Sequence, residues 1–179
     1  CISGGVPLTI PIVQEAQRRG IPITNDAQVF LERCPAPVLG ITGSAGKTTT
    51  TALTGAMGRA SGRRTFVGGN IGDVLLDVLP DITPADLVVM ELSSFQLELV
   101  TTSPDVAALL NLTPNHLDRH GTMDAYAAAK AHIYSHHDPP HVAVLGRDDP
   151  GARGMYPDIP GRLAWFSGRE PVLSGAYLD

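Results

Sequence analysis

The feature that most constrains this chain is a glycine-rich loop between an apolar stretch and a run of threonines. Residues 38–51 read VLGITGSAGKTTTT. Val38–Thr42 has the composition of a buried strand, and Lys47–Ser61 is predicted to be a helix that Gly62 ends. A strand that enters a helix through such a loop directs backbone amides, the helix N-terminus and a lysine at one anion. The sequence therefore predicts a phosphate site at residues 43–48.

Each residue of the loop has its own predicted part in binding phosphate. Gly43 and Gly46 let the backbone approach, Lys47 contacts the outer phosphates, and the Thr48 hydroxyl binds Mg²⁺. The common pattern G-x-x-x-x-G-K-[ST] needs glycine where Ile41 stands, so this chain has the shorter form T-G-S-x-G-K-T-T. The competing interpretation is a glycine-rich turn with a surface lysine.

Strands and helices alternate along the rest of the sequence. Helices are predicted over 10–19, 26–33, 73–79 and 122–135, and further strands over 21–24, 64–67, 86–91, 105–111, 141–145 and 162–166. Mostly apolar strands that alternate with helices indicate an α/β fold, with a parallel sheet covered by helices on both faces. The prolines of Cys34-Pro35-Ala36-Pro37 read as a linker, so we expect a domain boundary between residues 1–34 and 35–179.

The composition argues against some classes of binding partner and indicates the cellular compartment. The net charge is −5 with no basic run, which argues against a nucleic-acid or membrane-surface role. The two cysteines, Cys1 and Cys34, have no metal-type spacing and are expected to be reduced thiols of a cytoplasmic protein. No apolar stretch approaches the ~20 residues of a membrane span. The chain starts at Cys1 without Met and with no signal peptide, so we expect a piece of a longer protein.

A carboxylate ends the next apolar strand. Leu87–Glu91 finishes in Glu91, at a position where nucleotide enzymes often hold Mg²⁺, although a lone glutamate there is commonly just a polar strand end. The polar run over 92–98, LSSFQLE, indicates a functional loop or turn.

Histidines concentrate in the second half of the chain. His116 follows the Val106–Leu110 strand at the sheet edge where open α/β sheets bind ligands, and it is either a metal ligand or an ordinary hydrogen-bonding residue. A zinc site would need a third clustered ligand that the spacing does not supply. The remaining histidines after residue 130 are expected at a solvated helix end: His132, His136, His137 and His141.

Five motifs in one order make the sequence similar to the Mur ligases. They are T-G-S-x-G-K-T, the strand ending at Glu91, ELSSFQLE over 91–98, LNLTPNHLDRH over 110–120 and YAAAKAHIY over 126–134. Within the family, GGNIG over 68–72 and LSSFQLE over 92–98 resemble the member that adds D-glutamate to UDP-N-acetylmuramoyl-L-alanine. The resemblance implies ATP-dependent amide-bond formation through an acyl phosphate. It also implies that residues 1–34 end a Rossmann-like UDP-binding domain, that 35–179 are an incomplete ATP-binding domain, and that a C-terminal domain lies beyond the chain.

The resemblance also assigns residues. It implies that ATP phosphates are held by Thr42, Gly43, Ser44, Ala45, Gly46, Lys47, Thr48 and Thr49. Two Mg²⁺ ions are implied, one on Thr48 and Glu91 and a second helped by His116, with Lys47, His116 and Lys130 as the catalytic residues. The muramoyl-alanine substrate is implied to contact Gly5, Asn70, Ser93 and Gln96.

Lys130 has two opposed interpretations. Composition alone favours a lysine on a solvated helix surface, whereas the resemblance implies a carbamate that binds Mg²⁺. Such a lysine needs a lowered pKa to react with CO₂.

Three alternatives to this function stay open at the sequence level. The nearest is another ligase of the same superfamily, such as a sibling Mur enzyme or folylpolyglutamate synthase. A guanine-reading switch is disfavoured because its motifs overlap in the wrong order over residues 115–121. A nucleotide-binding module without ligase activity is the third.

Overall fold

The computed structural model describes residues 1–178 and is built on one sheet of seven parallel strands. In chain order the strands are β1 (Val38–Thr42), β2 (Thr65–Gly69), β3 (Leu87–Glu91), β4 (Val106–Leu109), β5 (Val142–Gly146), β6 (Arg162–Ser167) and β7 (Gly175–Tyr177). Their order across the sheet is β2-β3-β1-β4-β5-β6-β7, and every neighbouring pair is parallel. The predicted α/β class with a parallel sheet is confirmed.

Eight α-helices accompany these strands in the described residues. They are α1 (Pro11–Arg18), α2 (Asp26–Arg33), α3 (Lys47–Ala60), α4 (Leu75–Val78), α5 (Ser94–Leu97), α6 (Leu117–His120), α7 (Met123–Ala131) and α8 (Pro150–Gly154). Polar side chains cap the N-termini of two of these helices. The Asn25 side chain accepts a hydrogen bond from the Gln28 amide at the start of α2, and the Thr122 side chain accepts one from the Ala125 amide at the start of α7.

Both faces of the sheet are packed. Val88 and Val89 are neighbours on β3, so their side chains point to opposite faces, and each belongs to a different apolar cluster. Val88 lies in the larger cluster, which takes in Phe30 of α2, Leu97 of α5 and residues just after α7. Residues 26–36 thus pack on the same core as the strands, and the predicted boundary after residue 34 stays a prediction.

Close packing fixes α3 against the sheet on the other face. Gly58 faces β2 and β3, and a β-carbon there would lie 2.7 Å from Thr65 Oγ1 and 2.9 Å from Leu87 Cδ2. Gly55 meets Val67 even more closely. The helix that starts at the phosphate loop is therefore seated directly on the strand that ends in Glu91.

The register brings the predicted site together at one edge. β1 lies between β3 and β4, with Ile41 opposite Glu91 and Thr42 opposite Leu109. Because all strands are parallel, the loops that follow β1, β3 and β4 leave the same edge of the sheet.

Some local predictions were wrong. Residues 21–24 are not a strand: the Ile2 amide donates to the Thr24 carbonyl, and this one link is not a ladder. Strand β7 and the short helices α5, α6 and α8 were not predicted, because a few residues carry little periodicity. The histidine prediction was wrong for His137, which is 6% exposed and donates from Nε2 to the Pro104 carbonyl. Within residues 1–178, no helix has the length and apolar character to cross a membrane.

Candidate functional site

The glycine loop has the backbone of an anion-binding turn. Gly46 stands before the first residue of α3 with φ 81°, a left-handed conformation that glycine adopts without steric cost. The first amides of a helix have no intrahelical acceptor and carry the positive end of its dipole. Lys47 Nζ donates to the Gly43 carbonyl at 3.0 Å, so its amine folds back over the loop. Thr48 and Thr49 are exposed at the start of α3.

The segment after β4 holds the loop in place. The Ser44 amide donates to the Asn111 carbonyl at 3.1 Å, and the Ala45 amide donates to Asn111 Oδ1 at 2.9 Å. Asn111 Nδ2 in turn donates to the Ala45 carbonyl at 3.0 Å. Ser44 Oγ donates to the Thr113 carbonyl and accepts from the Thr113 amide, both at 2.9 Å. The amides of Ser44 and Ala45 are thus used inside the chain, which leaves the start of α3 for an anion.

Glu91 joins the phosphate loop to the glycine-rich end of β2. Thr48 Oγ1 donates to Glu91 Oε2 and Asn70 Nδ2 donates to Glu91 Oε1, each at 2.9 Å. Glu91 is only 1% exposed, and no ion pair among residues 1–178 includes it. A buried carboxylate that accepts two neutral hydrogen bonds without a cation fits a position for a divalent metal.

Lys130 is buried beneath the loop, so it is not a solvated helix lysine. It is 1% exposed, and Nζ donates to Thr42 Oγ1 at 3.1 Å and to the Gly43 carbonyl at 3.0 Å. Burial, with a smaller contribution from the nearby charge of Lys47, lowers the pKa of Lys130 to about 7. The two amines share the Gly43 carbonyl. A neutral amine near pH 7 is the form that reacts with CO₂.

His116 packs beside Phe95 and forms no hydrogen bond with the other predicted ligands in the described residues. It immediately precedes α6 with φ 52° and is exposed, and its ring centroid is 5.1 Å from that of Phe95. Among residues 1–178, no hydrogen bond or ion pair links His116 to Glu91 or Lys130. The structure brings Thr48 to Glu91 and Lys130 to Thr42, and it leaves His116 on the adjoining loop.

The predicted substrate residues line a single cavity of about 650 Å³, next to Glu91. They are Gly5, Asn70, Ser93 and Gln96. Ser93 and Gln96 form a reciprocal cap on α5: Ser93 Oγ accepts from the Gln96 amide, and Gln96 Oε1 accepts from the Ser93 amide. The Asn70 amide donates to the Glu91 carbonyl at 2.9 Å. The cavity and the phosphate loop therefore meet at Asn70 and Glu91.

Sequence reasoning missed several residues that build the site. Asn111 and Tyr126 stand in the quoted motifs but had no assigned role, and Tyr126 OH lies 3.1 Å from Ser44 Oγ. His120 has a side chain only 2% exposed, and burial lowers its pKa. The only sequence signal for Asn111, Tyr126 and His120 was their position in motifs that also contain predicted site residues. Among residues 1–178, no three His, Cys, Asp or Glu side chains lie close enough together to hold a metal ion by themselves.

Comparison with known proteins agrees with this geometry. Residues 41–165 match the Mur ligase middle domain. A MurF ligase structure from Thermotoga maritima in complex with ADP has a TM-score of 0.62 at 28% identity, covering 80% of this chain and 35% of that one. A UDP-N-acetylmuramate:L-alanyl-gamma-D-glutamyl-meso-diaminopimelate ligase from Neisseria meningitides has the same fold, with a TM-score of 0.64 at 17% identity over 96% of this chain and 61% of that one.

Curated relatives match nearly the whole chain. The UDP-N-acetylmuramoylalanine–D-glutamate ligase of Symbiobacterium thermophilum is 46% identical over 94% of this chain and 37% of its own length. That of Pelotomaculum thermopropionicum is 43% identical over 99% of this chain and 39% of its own length. This chain thus spans about two fifths of the length of these relatives. With the middle-domain match extending over residues 41–165, the chain belongs to the Mur ligase family.

Proposed function

We propose that this chain is part of an ATP-dependent ligase of the cytoplasm that joins D-glutamate to UDP-N-acetylmuramoyl-L-alanine in peptidoglycan precursor synthesis. Residues 1–34 would end the UDP-binding domain, and residues 35–179 would form most of the ATP-binding domain. The domain that presents D-glutamate would lie outside this chain. Support comes from the names of the relatives and from the residues at the sheet edge.

The observation that carries the proposal is the pair of hydrogen bonds on Glu91. One carboxylate oxygen accepts from Thr48 of the phosphate loop, and the other accepts from Asn70 of the 650 Å³ cavity. A ligase of this type must bring the outer phosphate of ATP to the carboxylate of a second substrate. A carboxylate shared by the two compartments stands where these substrates would meet.

The residues around the loop fit nucleotide and magnesium. The start of α3, together with Lys47, would hold the ATP phosphates. The rest of the loop would shape the turn around them rather than donate all of its amides: Thr42, Gly43, Ser44, Ala45, Gly46 and Thr49. Thr48 and Glu91 would hold one Mg²⁺, and His116 and a carbamylated Lys130 would help to hold a second. Bound Mg²⁺ supplies positive charge that offsets the repulsion between phosphate and carboxylate.

The carbamate on Lys130 is supported by burial and by its surroundings. The side chain is 1% exposed, and its pKa is lowered to about 7, so a large fraction of the amine is neutral near neutral pH. Thr42 Oγ1 donates to the Leu92 carbonyl at 2.8 Å. This bond fixes the hydroxyl oxygen that accepts a hydrogen bond from Lys130 Nζ. Modification would convert a cation beside Lys47 into an anion that can bind metal.

The proposed chemistry overcomes the low reactivity of a carboxylate. A carboxylate oxygen of the alanyl group attacks the γ-phosphorus of ATP, and ADP leaves. The amine of D-glutamate then attacks the acyl carbon, phosphate leaves with one former carboxylate oxygen, and the amine proton is lost to base. Gly5, Asn70, Ser93 and Gln96 would hold the UDP-linked substrate so that its carboxylate points toward Glu91 and Lys47.

The test is product formation by the full-length protein with a panel of amino acids. ATP, Mg²⁺ and UDP-N-acetylmuramoyl-L-alanine are supplied with D-glutamate, L-glutamate, L-lysine or meso-diaminopimelate, and products are identified by mass spectrometry. We expect ligation of D-glutamate alone, with one ADP released per amide.

The other outcomes separate the rival functions. Ligation of a different amino acid would assign the protein to a sibling ligase. Nucleotide binding without amide formation would indicate a binding module. The 179-residue chain alone should form no amide, because the amine-presenting domain would be missing.

A further inference from the structure

Arg119 of α6 holds the backbone of a distant segment. Its Nη1 donates to the Gly5 carbonyl at 3.0 Å and its Nη2 donates to the Val6 carbonyl at 2.9 Å. These partners precede it by 114 and 113 residues. One guanidinium thus donates hydrogen bonds to two successive carbonyls of a turn, and Gly5 of this turn lines the 650 Å³ cavity.

The guanidinium is itself held from two sides. Its central carbon lies 4.5 Å from the centroid of the Phe95 ring, and Nη2 lies 3.9 Å from Glu98 Oε2. The Arg119 side chain is 20% exposed, so these contacts are only partly screened by water. Phe95 also lines the cavity. Arg119 therefore connects two walls of one pocket, the Gly5–Val6 turn and the Phe95 ring.

The helix that carries Arg119 is fixed in turn. The next residue, His120, stacks on Phe95 with a centroid distance of 5.3 Å, and its Nε2 lies 3.0 Å from Ser94 Oγ. His120 Nδ1 lies 3.3 Å from Glu98 Oε1. The short helix is thereby attached to α5, and His116 stands at its start.

We propose that Arg119 is a positioning residue that sets the Gly5–Val6 wall of the cavity relative to α5 and α6, and so determines how tightly the UDP-linked substrate is bound. The inference rests on the proposed function for the identity of that substrate. Arg119 touches neither the phosphate loop nor Glu91 in the described residues, so its effect should fall on the UDP-linked substrate and not on ATP.

Arginine suits this role and lysine does not. The planar guanidinium presents parallel N–H groups that reach two acceptors while its face lies on an aromatic ring. A lysine ammonium would keep the charge but not the two-pronged geometry. If only positive charge mattered here, Arg119→Lys would behave like wild type.

The first arm of the test is amide hydrogen exchange on the 179-residue chain. We expect Arg119→Met to speed exchange over residues 2–8, where the Val6 amide donates to the Ser3 carbonyl, with no change at residues 43–48. Arg147→Met is the matched control, because Arg147 also lies over an aromatic ring, Trp165, and pairs with Glu170, but it follows β5 and does not line the 650 Å³ cavity. Unchanged exchange over residues 2–8 in Arg119→Met would overturn the inference.

The second arm uses the full-length protein and steady-state kinetics. Arg119→Met should raise KM for UDP-N-acetylmuramoyl-L-alanine about tenfold, because the Gly5–Val6 wall loses both hydrogen bonds that hold it, and should leave KM for ATP within about twofold. Arg119→Lys should stay close to Arg119→Met, and Arg147→Met should match wild type. Equal increases in both KM values, or full rescue by lysine, would contradict the positioning role. A wild-type protein without D-glutamate ligation would instead refute the proposed function, and the exchange arm would still test the contact.

Discussion

Thr48 on the first turn of α3 donates a 2.9 Å hydrogen bond to Glu91 at the end of β3, across 43 positions of sequence. The bond forms because β1 and β3 are parallel neighbours, with Ile41 opposite Glu91, so the loop after β1 leaves the sheet beside the end of β3. Asn70 occupies the second oxygen of the same carboxylate. Glu91 is thus the point where the loop after β1 meets the 650 Å³ cavity that Asn70 lines.

The first prediction removes the charge of Glu91 and keeps its shape. Glu91→Gln should lower turnover of the full-length protein on the order of 100-fold, because a neutral amide is a poor ligand for Mg²⁺. The melting temperature should change little, since the side chain keeps its volume and can still accept a hydrogen bond. Glu170→Gln is the control, because Glu170 is half exposed and pairs with Arg147. Turnover within about threefold of wild type for Glu91→Gln would show that Glu91 holds no essential metal.

The second prediction concerns the pH dependence of folding stability. Burial holds the pKa of Lys130 at about 7 in the folded chain, against an ordinary value of 10.5. Between these values the unfolded chain binds a proton that the folded chain does not. The free energy of unfolding of wild type should therefore rise with pH relative to Lys130→Met, by at most about 1.4 kcal/mol per pH unit. Below pH 7 both states are protonated and the difference should be constant.

Urea titrations from pH 6 to pH 10, in buffer free of CO₂ and metal, measure this difference. Lys130→Met should be more stable than wild type at pH 6, and its advantage should shrink steadily above pH 7. Parallel pH profiles for the two proteins would mean that the amine titrates normally. The buried environment assigned to Lys130 would then be wrong.

A third prediction tests the carbamate. In the full-length protein Lys130→Ala should lose activity and regain part of it with added acetate or propionate, because a short carboxylate can occupy the space of the carbamate. Chloride at equal ionic strength should give no recovery. Normal turnover in Lys130→Ala would exclude a metal-binding carbamate at this position.

A fourth prediction concerns the packing of α3. Gly55→Ala should destabilise the chain by about 1–3 kcal/mol, because the added methyl would overlap Val67, a β-branched residue with little freedom to move. Gly154→Ala is the matched control: this helical glycine has no atom within 4 Å of the new carbon. It should be neutral or stabilising by up to about 1 kcal/mol. Equal unfolding free energies for the two variants, measured in urea, would refute the close contact.

The sequence was most informative where the chemistry is local or where topology sets a position. The phosphate loop was predicted because its glycines, lysine and threonine are contiguous, and the structure places Gly46 in a left-handed conformation at the start of α3. The nearness of Thr48 and Glu91 followed from parallel neighbouring strands. The residues predicted to contact the substrate line one cavity because Asn70 follows β2 and Ser93 follows β3.

Side-chain contacts between distant segments were not predictable in this way. The amide of Asn111 pairs with the backbone of Ala45 across 66 residues, and Arg119 reaches Gly5 across 114. No periodicity or spacing encodes such pairs, because they depend on the final positions of loops. The missed strand β7 and the mistaken strand over residues 21–24 have the same cause, since a short extended segment becomes a strand only where a neighbour pairs with it.

In the proposed reaction, ATP phosphorylates the substrate carboxylate in the cleft between the phosphate loop and the 650 Å³ cavity. The most direct measurement labels both carboxylate oxygens of UDP-N-acetylmuramoyl-L-alanine with ¹⁸O and follows the label during ligation of D-glutamate by the full-length protein. An acyl phosphate requires one ¹⁸O atom in each phosphate released and one retained in each amide. Released phosphate without ¹⁸O would contradict it.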